Sequence, residues 1–412
     1  MLLVKLGDAV LVSGSVAATR LPAVPRDSHW VASWAAAPQP ATRNNLSSHG
    51  FHAQTIREIV LTSAGGVRVR VRFSNAFGTA PLWIGRAAIG VQSHGADLVP
   101  GTSTPLYFAG RRSVVIAPGA EVTSDPAELA AGPATHLAIS VFLPGPTGPA
   151  TQHADAFQQN YVAAGRHLLG STRAFRKHTY AWYFLSGVDV LASPRVEGTV
   201  VALGDSITDG VGTRANADAR WPNDLAARLN ARDGETLAVV DEGIGGNRVL
   251  NAAPCCGPSA VSRFERDVRE QPGAREVILL EGVNDIGYSQ NHGALTEPHT
   301  DVTAAQIIHG YERIIAAAHA AGLRIFGATL TPFQGAHYWT PDGEAKRDAL
   351  NDWIRTSGAF DGVIDFAAAV ADPADPERLN PAYDSGDHLH PNAAGYRAMA
   401  AAIDVTALVR SG

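Results

Sequence analysis

The sequence predicts an α/β protein in two parts: a three-layer domain on a parallel sheet over residues 197–412, preceded by an all-β sandwich over residues 29–192. Three observations carry this expectation. From Trp30 to Val190 the chain holds many short β-type runs divided by turn residues, without a long helical period. From Thr199 onward apolar runs alternate with helix-period segments, the pattern of strand–helix–strand units. At 412 residues the chain is also too long for one comfortable core. Hydrophobic residues at 45% and charged residues at 17% place it among folded globular proteins rather than disordered ones.

In the first part, Val67-Arg68-Val69-Arg70-Val71-Arg72-Phe73 alternates with period two, so one face of a strand is apolar and the other carries three arginines, read as a solvated sheet face. Further strands are expected at Ile56–Thr62, Leu82–Val91, Ser113–Ile116, Leu137–Leu143 and Tyr180–Leu185. Gly65-Gly66, Asn75, Gly78, Pro118-Gly119 and Pro144-Gly145 punctuate them. Trp30, Trp34 and Trp83 read as core ahead of sugar-stacking platforms. The pattern changes around Ala192–Gly198. Buried parallel strands are then expected at Thr199–Leu203, Leu237–Asp241, Glu276–Glu281, Leu323–Thr329 and Gly362–Phe366. Helices are expected at Ala304–Ala320, Lys346–Arg355 and Ala393–Ile403. The first of these gathers Ile307, Ile308, Tyr311, Ile314, Ile315 and Ala318 on one face.

The formal net charge of −6 offers no basic footprint for nucleic acid. No apolar run reaches the roughly 20 residues needed to span a bilayer. Residues 1–28 read as a leader and linker: Lys5 precedes a mostly apolar stretch that ends in Val16-Ala17-Ala18, although Asp8 interrupts it, and secretion is the expectation. The two cysteines, Cys255 and Cys256, are adjacent. Ordinary disulfides span more than the roughly 3.8 Å between neighbouring Cα atoms, so the pair is either a vicinal disulfide or two free thiols. No Cys/His spacing suits zinc.

Four segments carry candidate chemistry, three of them directly after an expected strand, where ligands of parallel sheets sit. Gly204-Asp205-Ser206-Ile207-Thr208-Asp209-Gly210 puts a serine hydroxyl on a tight strand-to-helix turn, beside N–H groups that favour developing negative charge. Taken alone, Ser206 reads equally as a helix cap. Gly243-Ile244-Gly245-Gly246-Asn247 allows a close backbone approach that can turn the Gly246 N–H toward a ligand. Gly282-Val283-Asn284-Asp285 supplies a side-chain amide able to donate to an oxyanion. Before the last helix, Asp387-His388-Leu389-His390-Pro391 offers a carboxylate three residues ahead of a histidine. Asp387 can hold Nδ1–H of His390 and leave Nε2 for the serine proton. His388 is read as surface or support.

Together these segments resemble the sequence blocks of the SGNH hydrolases, also called the GDSL esterase/lipase family, over about residues 197–405. The nucleophile block reads Gly-Asp-Ser-Ile in place of Gly-Asp-Ser-Leu. The first half, with its run at 182–190, resembles the two-domain secreted bacterial members. The resemblance implies a flavodoxin-like three-layer hydrolase domain behind a jelly-roll-like sandwich. It implies Ser206 as nucleophile with Asp387 and His390, and an oxyanion hole from Ser206, Gly246 and Asn284. It further implies no metal and no organic cofactor. Asp205 is given a structural role in the nucleophile turn. The substrate implied is a short-chain ester, or an acyl group on a carrier such as a polysaccharide. The competing readings are a lipase or phospholipase, and a glycan-binding protein whose hydrolase domain has lost turnover. His337, Tyr338 and Trp339 follow a strand end and either line a cleft or pack a loop, with loop packing preferred.

Overall fold

The computed structural model describes residues 25–43, 45–169 and 172–409. The expected leader over 1–28 lies almost wholly outside the described residues.

The second part is built on a five-stranded, all-parallel sheet: β1 (Val196–Gly204), β2 (Thr236–Gly243), β3 (Ala274–Leu280), β4 (Arg324–Ala328) and β5 (Gly362–Ile364). The spatial order is 2-1-3-4-5, the doubly wound order in which a crevice opens where the winding direction reverses, between β1 and β3. All five expected strands are present with ends shifted by a few residues. Their side chains are apolar on both faces because helices cover both: Val200, Val201, Val240, Ile278 and Ile325 are fully buried. Gly204 pairs with both Gly243 and Leu280, which brings the carboxyl ends of three strands level.

The helix Ala304–Ala320 follows its expected limits. A reciprocal capping box of Thr303 and Gln306 starts it, and Ile307, Tyr311, Ile314, Ile315 and Ala318 are buried as its period requires. Ile308 lies at the margin, and Gly310 takes the inner face because a Cβ there would come within 2.5 Å of Val249. Pro341–Thr356 begins five residues before its expectation, since Thr340 caps it and Pro341 sits at the first turn. The helix Trp221–Asn230 was not anticipated; it buries Trp221, Leu225 and Leu229 against the sheet.

The first part is mostly antiparallel. One sheet runs His29–Ala35, Leu185–Ala192, Val69–Ser74 and Glu121–Thr123 in spatial order. The other is centred on Gln54–Leu61, His136–Leu143 and Arg86–His94. Side chains from both, including Val71, Phe73, Val188, Ile56 and Ile139, share one apolar core, so the sheets pack face to face as a sandwich. The expected strand Leu82–Val91 is two strands. Leu82–Ile84 pairs with Val114–Ile116, and Gly85 interrupts where a Cβ would meet Pro144 at 2.9 Å. Likewise Tyr180–Leu185 resolves into Trp182–Tyr183 and the long strand Leu185–Ala192, divided at Phe184, whose φ is 59°. Trp34 is buried, Trp30 half-buried and Trp83 50% exposed, so the core reading fails for Trp83.

The arginine face is solvated only at Arg68, which pairs with Glu128 at 2.6 Å with both side chains exposed. Arg70 and Arg72 both pair with the fully buried Asp189 on the neighbouring strand, at 2.8 and 3.2 Å. Arg72 also donates to Gln271 (2.6 Å), which donates to Glu242 (2.7 Å). Period-two alternation separates two faces but does not say whether the polar one is wet. Here a buried counter-charge and the second domain cover it. The same seam includes Ala32 N–H to Pro272 O (2.8 Å) and Val239 N–H to Ser63 Oγ (3.0 Å).

Candidate active site

The nucleophile turn is crowded by design of its sequence. A Cβ at Gly204 would lie 2.5 Å from Leu280 O, so glycine alone lets β1 run this close to β3. Asp205 caps the short helix Ser206–Asp209 by accepting Ile207 N–H at 2.9 Å, and Gly210 closes it at φ 98°. Ser206 occupies the first helical position, where the backbone N–H has no intrahelical acceptor.

Ser206 Oγ is 2.8 Å from His390 Nε2, and His390 Nδ1 is 2.6 Å from Asp387 Oδ2. The other carboxylate oxygen of Asp387 accepts the backbone N–H groups of His390 (2.8 Å) and Leu389 (3.0 Å). Burial would raise the Asp387 pKa, but the hydrogen bonds from the His390 ring and backbone outweigh it and hold the carboxyl well below the usual range. His388 belongs to a separate pair: its Nδ1 is 2.6 Å from Asp384 Oδ2, and it points outward at φ 62°.

Gly246 adopts φ 74°, and its N–H has no acceptor among the described residues. A Cβ there would meet Tyr288 Oη at 2.3 Å and Cys256 Sγ at 2.6 Å. The two cysteines are joined as a vicinal disulfide, and Cys256 Sγ lies 3.9 Å from Tyr288 Oη behind this glycine. Asn284 Nδ2 donates one hydrogen to Asn247 O (2.9 Å), while Tyr338 O–H donates to Asn284 Oδ1 (3.2 Å). These two bonds fix the amide's orientation and leave its second N–H free. Ser206, Gly246, Asn284, Tyr288, Tyr338 and His390 border one cavity of about 210 Å³. All five residues expected from the sequence thus meet at or beside one cavity, with Asp387 behind His390.

His337 and Tyr338 also line this cavity, contrary to the loop-packing preference. Trp339 does pack: its indole N–H donates to Glu344 at 3.1 Å. Sequence reasoning missed Tyr288, although its position four residues after Asn284 puts it on the same helical face. It also missed Arg263, whose buried guanidinium donates to Gly204 O (2.9 Å), Glu242 O (2.7 Å) and Asn247 Oδ1 (3.0 Å), tying together the strand ends that carry the site. Nothing local in the sequence marks that role. Asp285, fully buried, accepts Val249 and Leu250 N–H (2.7 and 3.0 Å) and anchors the loop after Gly246; burial pushes its pKa up to about 6. Burial likewise raises Asp205 to about 7 and Tyr288 to about 12.

The sandwich reaches this site. His153 Nε2 is 3.1 Å from Asp209 Oδ1, and its Nδ1 is 3.1 Å from Ala37 O. Asp209 Oδ2 in turn accepts the Gly245 N–H at 3.1 Å, one residue before Gly246. Burial alone would lower the His153 pKa, but the facing Asp209 carboxylate raises it, which favours a charged pair.

A serine linked through histidine to a carboxylate, beside amide-bearing residues that line one cavity at the carboxyl edge of a parallel sheet, is the arrangement of the serine acylhydrolase class. Residues 202–398 match the model of the GDSL-like lipase/acylhydrolase family, and this part of the chain is a GDSL-like, SGNH-type domain. Solved structures similar to it include a GDSL-like lipase from Bacteroides thetaiotaomicron, 20% identical, covering 52% of this chain and 88% of that one with a TM-score of 0.39. An α/β hydrolase from the metagenome of Lake Arreo is 20% identical over 52% of this chain and 98% of that one, with a TM-score of 0.40. A catalytic mutant of an acetylxylan esterase from Geobacillus stearothermophilus is 19% identical over 53% and 98%, with a TM-score of 0.38. No match is found among the curated proteins.

Proposed function

We propose that this protein hydrolyses carboxylic esters of short acyl groups, acetyl foremost, carried on carbohydrate, by way of an acyl-enzyme on Ser206. The observation that carries the reading is the continuous chain Asp387–His390–Ser206 opening onto a cavity of only about 210 Å³. Pockets for drug-sized ligands occupy roughly 300–1,000 Å³, so the space favours a small acyl group over a long one and sets the lipase reading behind.

In this mechanism His390 Nε2 takes the Ser206 proton as Oγ attacks the ester carbonyl, while Asp387 holds the ring and stabilises the imidazolium. The oxyanion is met by the backbone N–H groups of Ser206 and Gly246 and by the free N–H of Asn284 Nδ2. His390 returns its proton to the leaving alcohol. Water, deprotonated by the same nitrogen, then releases the acid and frees Ser206. Secretion is part of the proposal, and the vicinal disulfide, a bond that persists in oxidising compartments, supports it.

The test is hydrolysis of p-nitrophenyl esters from acetate to palmitate by the wild type and Ser206→Ala. The expected result is a maximum at acetate or butyrate that the variant abolishes. A maximum at palmitate would replace this reading with a lipase, and no turnover at any length would replace it with a binding protein. Acetylated and deacetylated xylan, compared for acetate release, then test the carbohydrate carrier.

A further inference from the structure

A cavity of about 660 Å³ lies on the sandwich and shares no lining residue with the active-site cavity. Arg86, Arg112 and Arg166 line it from three separate segments of the chain, with His167 beside them. None of the three forms an ion pair with a carboxylate among the described residues. In a chain with net charge −6, three guanidinium groups around one groove, without an ion pair among the described residues, are not a general excess of base.

The groove is also preformed. Thr55 donates to Gly165 O (2.6 Å) and accepts the His167 N–H (3.0 Å). The buried Arg57 donates to His167 O (3.2 Å) and Leu168 O (2.9 Å). The wall that carries Arg166 is therefore held from beneath by the strand Gln54–Leu61. Arg112 stacks on Tyr107, with its guanidinium 5.8 Å from the ring centre. Pro105, Leu168 and Leu169 add apolar side chains to the same lining. The ribbon leading to Arg86 and Arg112 pairs Trp83 with Val115, and these two are 50% and 61% exposed.

We propose that this groove binds a carboxylate-bearing polysaccharide. Guanidinium forks match carboxylates in two-point contacts, and three forks from three segments call for more than one anionic group along the ligand. The apolar side chains of the lining suit the C–H faces of sugar rings, and the exposed Trp83 lies on the ribbon that leads to it. The inference concerns binding by the sandwich and stands apart from the ester chemistry, so either can fail alone.

The experiment is titration calorimetry of the full chain with polygalacturonate, its fully methyl-esterified form, dextran sulfate and oligothymidylate, repeated with rising sodium chloride. The expected result is salt-sensitive binding of polygalacturonate only. In an Arg86→Ala/Arg166→Ala double variant, with thermal melting as the check of folding, that binding falls by about tenfold or more. Absence of polygalacturonate binding at low salt, equal binding of the methyl ester, or unchanged affinity in the variant overturns the proposal. So does binding of dextran sulfate or oligothymidylate as tight as that of polygalacturonate. If the double variant does not melt cooperatively, Arg112→Ala, on an exposed turn, gives the same readout.

Discussion

At the residue scale the proposed mechanism separates groups that react from groups that hold them. Replacing Asp387 by Asn leaves the His390 ring in the wrong tautomer, and kcat is expected to fall by ~10⁴ with the fold intact. On the proposed mechanism Asn284→Ala removes one oxyanion donor and is expected to lower kcat by ~10²–10³, with KM little changed. Tyr338→Phe frees the Asn284 amide to turn over, so it should cost kcat less than Asn284→Ala does. His388→Ala serves as the contrast, because His388 is paired with Asp384 outside the cavity and turnover should persist. Steady-state kinetics on p-nitrophenyl acetate checks all four. Gly246→Ala is expected to be as damaging as loss of a donor. Its methyl would fall on Tyr288 Oη and Cys256 Sγ, at a φ that L-residues rarely adopt. Ser206, Gly246, Asn284, Asp387 and His390 were legible in the sequence because each sits in a short run fixed by a strand end or a turn. Arg263 was not, because its role depends on contacts with residues 16 to 59 positions away that no local pattern encodes, and Tyr338 was legible as a cleft candidate but not as the partner of Asn284.

At the element scale the parallel strands and the helix Ala304–Ala320 were legible because burial imposes a period. The helix Trp221–Asn230 was less so. Its start, Arg220, makes no side-chain capping bond, and its apolar face is short. Thr303→Ala should lower stability by about 1 kcal/mol in urea denaturation, since the capping box at the head of Ala304–Ala320 is complete. The two-residue strand Gln152–His153 has the most consequence for its length. It sets His153 against Asp209, and Asp209 holds the Gly245 N–H. His153→Ala is expected to lower kcat more than it raises KM, while Ser206→Ala protein still binds substrate. A fall in melting temperature with unchanged kcat would show a bracing role only.

At the scale of the molecule, several buried acids share one sign of pH response. Burial lifts Asp205 and Glu276 to about 7 and Asp285 to about 6, against roughly 3.9–4.3 in the unfolded chain. The folded state therefore holds protons that the unfolded state releases between those values. Stability from these groups is full below about pH 4 and is lost as pH rises through 7. His153, raised by Asp209, acts in the same direction. The melting temperature is expected to fall between pH 5 and pH 8, and the isosteric Asp205→Asn should flatten the fall. A melting temperature that climbs over this range would contradict the assignment. The two-part division was legible from the change in pattern near Gly198, but the closeness of the parts was not. Arg72, read as solvated, is instead buried in the seam beside Asp189 and Gln271.

That seam bears on how such a chain diversifies. Accessory domains often behave as exchangeable cassettes, joined or dropped by recombination at a linker. Here a crossover at Ser193–Arg195 would part His153 from Asp209 and Arg72 from Gln271, leaving charge stranded on freshly bared surface. The hydrolase half would inherit its motifs intact and lose the histidine that contacts Asp209 beside them. Successful exchange would have to carry the strand Gln152–His153 along, or arise together with changes at Asp209. The two halves are thus expected to travel through evolution as one unit.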